Sequence, residues 1–345
     1  MLVYWGMFLV AAWGVLTPKS LPAAQARAMW LAVGFMFSVL IGLRHEVGGD
    51  WFNYVPHFIR ASTMSFAEAA AMGDPGHYVL NMWASRIGGD VYLVNFVYAA
   101  ALMWGTMVFC RRQPNPWLAL VAALPYMLIV VGMGYTRQSV ALGLSLLGLV
   151  ALGEHRVRTF IVCVAIGALF HKSAVLLMPI AALAASRNRI LTGTIVLASA
   201  LMLYYLLLLD AADDMWRNYV EEQMQSQGGL IRVVMNFVPA VLLIMFRRRL
   251  VPDPQERKLW MWIAAFSIVC LPLVFLASTA VDRVALYFIP LQLFVFARLP
   301  TLAQTVTSRT GVVVGIVLYY AAVQYVWLNY ATHSQYWTPY QFMPL

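Results

Sequence analysis

Twelve apolar segments dominate this sequence and limit what it can fold into. They lie at approximately residues 1–16, 28–43, 91–109, 117–134, 138–153, 160–170, 174–185, 190–209, 230–246, 259–277, 284–297 and 311–328. A membrane-spanning helix needs about 20 predominantly apolar residues. Twelve such segments leave little of the 345-residue chain for a soluble domain. The pattern predicts an all-α, polytopic membrane protein with about 10–12 helical membrane segments, in which residues 1–345 form a single integral membrane domain.

The composition excludes the main soluble classes. Hydrophobic residues make up 62% of the chain and charged residues 11%, whereas a typical soluble domain has about half apolar and a quarter charged residues. The formal net charge of +9 would suggest nucleic acid binding in a soluble protein. In membrane proteins, however, Lys and Arg accumulate in cytoplasmic loops. We therefore expect the lipid bilayer, and no nucleic acid, as a partner.

The region near 160–185 decides the topology. Two short apolar stretches, 160–170 and 174–185, are separated by His171-Lys172-Ser173, and both outer flanks are basic. The positive-inside rule places both flanks in the cytoplasm and predicts a short hairpin or re-entrant pair. A single long helix is the alternative, and it would reverse the orientation of every later segment.

The distribution of charge supports the hairpin. It places 15 of the 23 Lys and Arg residues on the cytoplasmic side, together with only 3 of the 14 acidic residues. The basic residues on that side are Lys19, Arg27, Arg111, Arg112, Arg156, Arg158, Arg187, Arg189, Arg247, Arg248, Arg249, Arg257, Lys258, Arg298 and Arg309. Two long loops, 44–90 and 210–229, then face outwards. Because binding and catalytic residues concentrate in such connections, we expect the chemistry on that side.

The chain carries no nucleotide fingerprint. Neither G-x-x-x-x-G-K-[ST] nor G-x-G-x-x-G occurs in it, and the short cytoplasmic loops have no room for a nucleotide-binding domain. The predicted activity therefore uses neither ATP nor a nucleotide sugar taken from the cytoplasm, and we expect no cofactor.

Three cations stand at the expected starts of apolar helices on the outer side: Arg137, Lys172 and Arg283. A helix N-terminus is already positive, so a cation there is unfavourable unless an anion lies between the two. The three residues therefore predict a site for a multiply charged anion. The alternative is that each cation pairs with a nearby acid, such as Asp282. Arg44 differs, because it ends the second span at a helix C-terminus, where the helix dipole favours a cation.

The outer end of the second span carries the richest polar stretch, from Arg44 to Tyr54. Gly48-Gly49 permits a tight turn that would bring Asp50 back towards Arg44 and Glu46. Together these groups can supply a base, a residue that orients it and an anion-binding cation.

Two alternatives apply to the same stretch. It can be an interfacial loop with Trp51 and Tyr54 in the aromatic belt of the membrane. It can also be a metal site using His45, Glu46 or Asp50, although no H-E-x-x-H or similar spacing supports one. We expect no metal.

His171 lies between two apolar half-helices. A polar tip on a re-entrant pair is tolerated only where it is buried in protein or lines a cavity, which favours a functional histidine. A buried neutral histidine bonded to a carbonyl is the alternative. Nothing in the sequence assigns a role to His57, His77, His155 or His333, which we expect in ordinary loops.

Several ordered landmarks resemble the EpsG family of bacterial membrane proteins, which are Wzy-like polymerases of exopolysaccharide, capsule and O-antigen. The landmarks are Arg44-x-Glu46-Val47-Gly48-x-Asp50-x-x-x-Tyr54, Asp74-Pro75-Gly76-x-x-x-Leu80-Asn81, Arg137-Gln138-x-x-Ala141, Phe170-His171-Lys172-Ser173, Arg283 with Tyr287-Phe288, and Pro339-Tyr340. Each is weak by itself, but the ordered set covers nearly the whole chain.

The resemblance implies a GT-C-like glycosyltransferase of the bacterial cytoplasmic (inner) membrane, with its active site facing the periplasm or cell exterior. Its donor would be a growing glycan on undecaprenyl pyrophosphate, and its acceptor a lipid-linked repeat unit. The enzyme would join the two and release the lipid pyrophosphate. A chain-length regulator is a further candidate partner.

For this reaction, the residues singled out above become the candidate site residues. Those for the pyrophosphate are Arg137, Lys172, Arg283 and Arg44. Those for the base are Asp50, Glu46 and His171, unless two carboxylates act as a nucleophile and its partner. Those for the glycan are Tyr54, Trp51, Gln138 and Tyr287.

Two other classes of function remain open. An O-antigen ligase or a membrane O-acyltransferase would be another membrane transferase, and the latter also uses a membrane histidine. A polysaccharide or lipid-linked glycan transporter or flippase is the non-enzyme alternative. It should show paired inverted halves with broken helices in equivalent positions, whereas we find only one broken helix in the sequence pattern.

Overall fold

A computed structural model describes residues 1–17, 21–184, 189–203, 205 and 228–344. The predicted loop 210–229 therefore lies almost entirely outside the described residues. The α-helices are α1 (Leu2–Leu16), α2 (Ala23–Gly42), α3 (Trp51–Ser62), α4 (Phe66–Ala70), α5 (Pro75–Arg86), α6 (Val91–Arg111), α7 (Pro116–Gly134), α8 (Thr136–Gly153), α9 (Val157–Phe170), α10 (Met178–Ala184), α11 (Arg189–Leu203), α12 (Gly229–Leu250), α13 (Pro254–Leu273), α14 (Ser278–Ala285), α15 (Pro290–Arg298) and α16 (Val306–Tyr330).

The described residues confirm the prediction of an all-helical, polytopic membrane protein. Six helices, α2, α6, α7, α8, α12 and α16, are long and apolar enough to cross a membrane. The pair 278–288 and 290–302, bent by 44°, forms a seventh candidate span. Four shorter apolar helices, 2–16, 157–170, 172–184 and 190–202, bring the number of apolar segments close to the sequence-based expectation.

Helix α7 is the centre of the bundle. In its apolar 18-residue stretch, 94% of the residues are buried. Helices α1, α6, α15 and α16 pack around it. Its residues are apolar on every side, which is the pattern of a fully buried helix. The segment Leu124–Val131 is a π-helix, and Pro125 near its start cannot donate the regular backbone hydrogen bond. Such local changes in winding are frequent close to functional sites.

Helix α8 crosses its neighbour α6 at very short range. A Cβ atom added to Gly105 of α6 would overlap the carbonyl group of Gly143 of α8. Small residues at a crossing allow two membrane helices to approach closely. This glycine contact fixes the position of α8, whose first turn carries Arg137.

The chain breaks sharply at His171. Helix α9 ends at Phe170, His171 is extended (φ −153°, ψ 110°), and Lys172–Leu177 forms a 3-10 helix. Helix α10 then packs back against α9, which is the arrangement of a hairpin rather than of one straight helix. As a result, the polar tip of the hairpin lies at the same end of the bundle as Gln138 and Tyr287.

The segment 44–90 is a helical layer rather than an open loop. Helices α3 and α5 pack against each other, and α4 closes the turn between them. Ser65 caps α4 through a capping box with Glu68, and Pro75 begins α5 at the position where the missing N–H costs nothing. This layer covers one end of the bundle and contacts α9 through α5.

The C-terminal tail folds back beneath the chain that links α2 to α3. The N–H of Gly48 donates a hydrogen bond to the carbonyl of Tyr336 (2.8 Å). Trp337, only 2% exposed, donates its indole N–H to the carbonyl of Ile129 (3.0 Å). The tail therefore fixes the position of the chain that leads into α3.

The hairpin makes a prediction about sidedness. In a variant without the native cysteines, Ser62→Cys and Gln335→Cys should react alike with an impermeant thiol reagent, because both residues lie at the end of the bundle that carries the hairpin tip. Ser308→Cys should react oppositely, because about 33 Å of α16 separates Ser308 from the end of the helix that leads to Gln335. Labelling in intact cells and in inverted vesicles measures this. Opposite reactivity of Ser62→Cys and Gln335→Cys would contradict the hairpin.

Candidate active site

An ion pair between Arg137 and Asp74 lies at the centre of a charged cluster. Arg137 Nη1 is 2.5 Å from Asp74 Oδ2, and the side chains are 31% and 16% exposed. The two residues are 63 positions apart, and they connect the 44–90 layer to the membrane bundle. The alternative that a cation at a helix start pairs with an acid therefore holds for Arg137. A guanidinium group has five N–H donors, so one such bond leaves others for a ligand.

Asp50 lies beside this pair. It occupies the N-cap position of α3, but its side chain does not cap the helix. Its Oδ2 accepts a hydrogen bond from the hydroxyl of Tyr54 at 3.4 Å instead. Burial raises the pKa of Asp50, and the nearby cations Arg137 and Arg283 act in the opposite direction. Asp50 is therefore a partly buried carboxylate next to cations. Catalytic acids and bases with a shifted pKa are typically found in such surroundings.

The polar tip of the hairpin reaches the same cluster. The Nδ1 atom of His171 is 2.6 Å from the hydroxyl of Ser173, which donates to the hydroxyl of Tyr287 at 3.1 Å. Lys172 interacts electrostatically with Asp74, and burial raises the pKa of this carboxyl. The sequence-predicted residues His171 and Lys172 are thus brought to Asp50 and Arg137.

Arg283 joins the cluster, but not for the reason that the sequence suggested. It lies in the last turn of α14 (Ser278–Ala285), so the prediction that it begins an apolar helix is wrong. The break between α14 and α15 positions Arg283 at the cluster. Its carbonyl accepts a hydrogen bond from Gln138 Nε2 (2.9 Å), and its exposed guanidinium interacts electrostatically with Asp50.

Asp282 has a different partner from the one considered in the sequence. The Nε and Nη2 atoms of Arg232 each lie 2.5 Å from a carboxylate oxygen of Asp282. Asn236, one turn further along α12, donates to the carbonyl of Ala285 (2.7 Å). These contacts hold the short helix α14 on α12. Arg232 was not predicted as a structural or site residue, because its partner is 50 residues away.

Two predicted site residues are engaged by other groups, although Arg44 also interacts electrostatically with Asp50. Arg44 is fully buried and donates to the carbonyls of Val47 (2.9 Å) and Ile41 (2.8 Å). A dissolved anion does not reach it in this structure, so we remove Arg44 from the candidate pyrophosphate ligands. Glu46 has a positive φ of 51°, and its carboxylate lies 3.8 Å from the ring of His45. Glu46 also interacts electrostatically with Tyr92.

The four residues predicted to contact the glycan are all buried. None of Trp51, Tyr54, Gln138 and Tyr287 is more than 3% exposed. They form the inner wall of the cluster and support Asp50, Ser173 and the backbone of Arg283. In this structure these four side chains present almost no surface to a sugar.

His77 is a residue that the sequence missed. We expected it in an ordinary loop, but it lies on α5 and is 1% exposed. Its Nδ1 is 2.7 Å from the hydroxyl of Tyr98, and its Nε2 is 3.2 Å from Nδ1 of His57. Burial lowers the pKa of His77 to about 3, so it is neutral. The signal available in the sequence was Asp74-Pro75, a helix start that places His77 on the first turn.

The opposite end of the bundle carries a second set of charges. Glu154 pairs with Arg112 and Arg156, and Arg298 contacts both Gln113 and Glu256. These residues follow the far ends of α6, α8 and α15. Among the described residues, no group of three or more His, Cys, Asp or Glu side chains has the arrangement of a metal site.

The comparison with known families agrees with the landmarks. The EpsG family model matches residues 27–342. The chain belongs to the EpsG family. This confirms the resemblance inferred from the sequence, and the match includes every residue of the charged cluster. No curated protein and no solved structure matches the chain.

The turn before Asp50 gives a test with a matched control. Gly48 has φ +101°, and a Cβ there would overlap the carbonyl of Met133, whereas a Cβ on Gly49 meets nothing within 4 Å. Gly48→Ala should displace Asp50 and lower polymer formation roughly 100-fold, the scale of an ångström-sized misplacement at a reacting centre. Gly49→Ala should remain near wild type. Polymer yield per amount of membrane protein measures both, and equal activity of the two variants would contradict the role of this turn.

Proposed function

We propose that this EpsG-family protein is a polysaccharide polymerase, a GT-C-like membrane glycosyltransferase acting at the outer face of the bacterial cytoplasmic membrane. It would join repeat units carried on undecaprenyl pyrophosphate and release the lipid pyrophosphate. The observation that carries the proposal is the cluster of Arg137, Lys172 and Arg283 with Asp50 and Asp74 at one end of a membrane bundle. Membership of the EpsG family favours the same activity.

The cations of the cluster suit a pyrophosphate leaving group. Negative charge grows on the pyrophosphate as its bond to the sugar breaks, and preorganised cations stabilise that charge without reorganisation. Arg137 lies in the first turn of the long helix α8. The first backbone N–H groups of this helix carry partial positive charge and can also bind an anion. Lys172 and Arg283 approach the same place from the hairpin and from α14.

The transfer itself needs one proton acceptor. The bond between the anomeric carbon and the phosphate oxygen breaks, and its electron pair stays on the pyrophosphate. The acceptor hydroxyl oxygen forms the new glycosidic bond, and its proton passes to a base. Asp50 is our first candidate for this base, since it lies beside the cations and does not cap its helix. His171 is the second, and Glu46 is the weakest, because its contact is with the ring of His45.

The orientation follows from the positive-inside rule. The end with Arg112, Arg156 and Arg298 would face the cytoplasm, and the cluster with the 44–90 layer would face outwards. A donor that is already activated on its lipid carrier explains how the chemistry can proceed without a nucleotide. A chain-length regulator remains a candidate partner on the outer side.

A reconstituted reaction tests the function. Purified protein in liposomes, given undecaprenyl-pyrophosphate-linked repeat units as the only sugar source, should form a polymer ladder and release undecaprenyl pyrophosphate in equal molar amount to the bonds formed. Transfer of the glycan to a lipid A core without polymer would favour a ligase. Movement of the lipid-linked unit between leaflets without bond formation would favour a flippase.

Removing one cation of the cluster should slow the reaction strongly. Arg137→Ala and Arg283→Ala should each lower the rate of polymer formation about 100- to 1000-fold, the usual effect of losing one preorganised donor. Arg→Lys should restore little, because a guanidinium grips phosphate with two parallel bonds. Arg86→Ala is the matched control: Arg86 is exposed and lies in the same outer layer. Near-normal rates in both cluster variants would contradict binding of the pyrophosphate by Arg137 and Arg283.

Substitutions that keep the shape of a side chain but remove its charge distinguish the base from its neighbours. Asp50→Asn keeps the shape but not the charge, so the rate should fall about 100- to 10,000-fold. Glu46→Gln should have little effect, and His171→Gln an intermediate one. Because the raised pKa of Asp50 makes it protonate more easily, the wild-type rate should also fall as the pH drops through that pKa. Full activity of Asp50→Asn would contradict this assignment.

A further inference from the structure

The charged cluster can stabilise the leaving group and accept the proton, but it does not explain how the sugar is bound. The aromatic residues that the sequence suggested for the glycan, Trp51, Tyr54 and Tyr287, lie behind the cluster and are at most 3% exposed. A sugar lying against the cluster therefore needs another surface. One aromatic side chain at this place, Tyr135, is accessible, with 37% of its surface exposed.

Tyr135 occupies the joint between α7 and α8. Its backbone is not helical (φ −120°, ψ 60°), yet both of its polar backbone groups are bonded. Its N–H donates to the carbonyl of Val131 (2.9 Å), and its carbonyl accepts from the N–H of Ser139 (2.9 Å). Gly134 and Thr136 on either side are buried. The backbone of the joint is thus firmly held, while 37% of the surface of Tyr135 stays exposed.

The residues beneath this joint are also tightly packed. The indole of Trp337 from the C-terminal tail fills the place where Gly134 lacks a side chain, and Gly48 touches the backbone of Met133 and Gly134. The tail, the turn before Asp50 and the start of α8 therefore meet under Tyr135. An aromatic ring on so rigid a base loses little entropy when a ligand packs on it.

The surroundings of Tyr135 are those of the reacting groups. Tyr135 interacts electrostatically with the ion pair of Arg232 and Asp282. It interacts more weakly with Asp50 and Arg283, the candidate base and one candidate cation. Arg137 follows it by two residues. A ring at this position lies beside the point where the sugar would be attacked.

We propose that Tyr135 is the stacking platform for the sugar of the lipid-linked repeat unit at the reaction centre. This inference rests on the proposed function. A pyranose ring has an apolar C–H face that can pack on an aromatic ring, while its hydroxyl groups remain hydrated or bonded to the cluster. The same ring face attracts positive charge, which develops on the sugar in an oxocarbenium-like transition state. Tyr135 therefore binds the sugar in the ground state and favours its reaction.

Substitutions at Tyr135 separate the ring from its hydroxyl. Tyr135→Phe and Tyr135→Trp keep the aromatic face, whereas Tyr135→Leu and Tyr135→Ala remove it, the leucine with less loss of volume. Two probes are used with purified protein: the lipid-free oligosaccharide repeat, released from its lipid by mild acid, and inorganic pyrophosphate. Tyr330→Ala is the control, because Tyr330 is 72% exposed and lies at the end of α16 that leads into the tail.

We expect Tyr135→Ala and Tyr135→Leu to raise the Kd of the oligosaccharide about tenfold, which corresponds to about 1.4 kcal/mol. The Kd of inorganic pyrophosphate should not change, which also shows that the variants are folded. Tyr135→Phe, Tyr135→Trp and Tyr330→Ala should bind both probes as the wild type does. In the polymerisation assay, the KM for repeat units should rise in the leucine and alanine variants.

Two results would overturn the platform. One is unchanged oligosaccharide binding in both Tyr135→Ala and Tyr135→Leu. The other is a loss in Tyr135→Phe as large as that in Tyr135→Ala, which would assign the role to the hydroxyl group instead. The proposed function fails differently: wild-type protein that binds the oligosaccharide through Tyr135 but forms no polymer would refute the polymerase and leave the platform standing.

Discussion

The ion pair between Arg137 and Asp74 is the contact on which the candidate site depends. It ties the helical layer 44–90 to the first turn of α8, at the centre of a membrane bundle, across 63 residues of sequence. Removing one partner of such a partly buried pair leaves the other charge uncompensated. The close crossing of α6 and α8 and the docked C-terminal tail hold the two sides of the pair in place. Asp50, the hairpin tip and Arg283 are then arranged around it.

The balance of charge explains why this end of the bundle suits an anion. Arg137, Lys172 and Arg283 contribute three positive charges, and Asp50 and Asp74 contribute two negative ones. The nearby pair of Arg232 and Asp282 is neutral as a unit. The cluster therefore keeps an excess of positive charge next to a carboxylate that is easily protonated. A pyrophosphate leaving group would complete this balance during the reaction, and the released proton would reach Asp50.

Hydropathy and charge predicted the bundle, the hairpin at His171 and three of the cations, because these depend on local segments and on loop charge. The partners depend on tertiary contacts, which a single sequence does not show. Asp74 reaches Arg137 and Arg232 reaches Asp282 across 63 and 50 residues. For the same reason, Trp51 and Tyr54 were predicted as glycan contacts but are buried, while the exposed Tyr135 was missed. Arg283 lies in the charged cluster, as predicted, but the predicted helix start is wrong, since α14 begins five residues earlier.

The central claim is that the cluster around Arg137 holds the pyrophosphate of the lipid carrier. The most direct measurement is a cryo-EM structure of the protein bound to undecaprenyl pyrophosphate. The account predicts diphosphate density within hydrogen-bonding distance of Arg137, Lys172 and Arg283, with the lipid chain leaving into the bilayer. Diphosphate density at the opposite end, beside Arg112 and Arg298, or no contact with Arg137 at all, would contradict it.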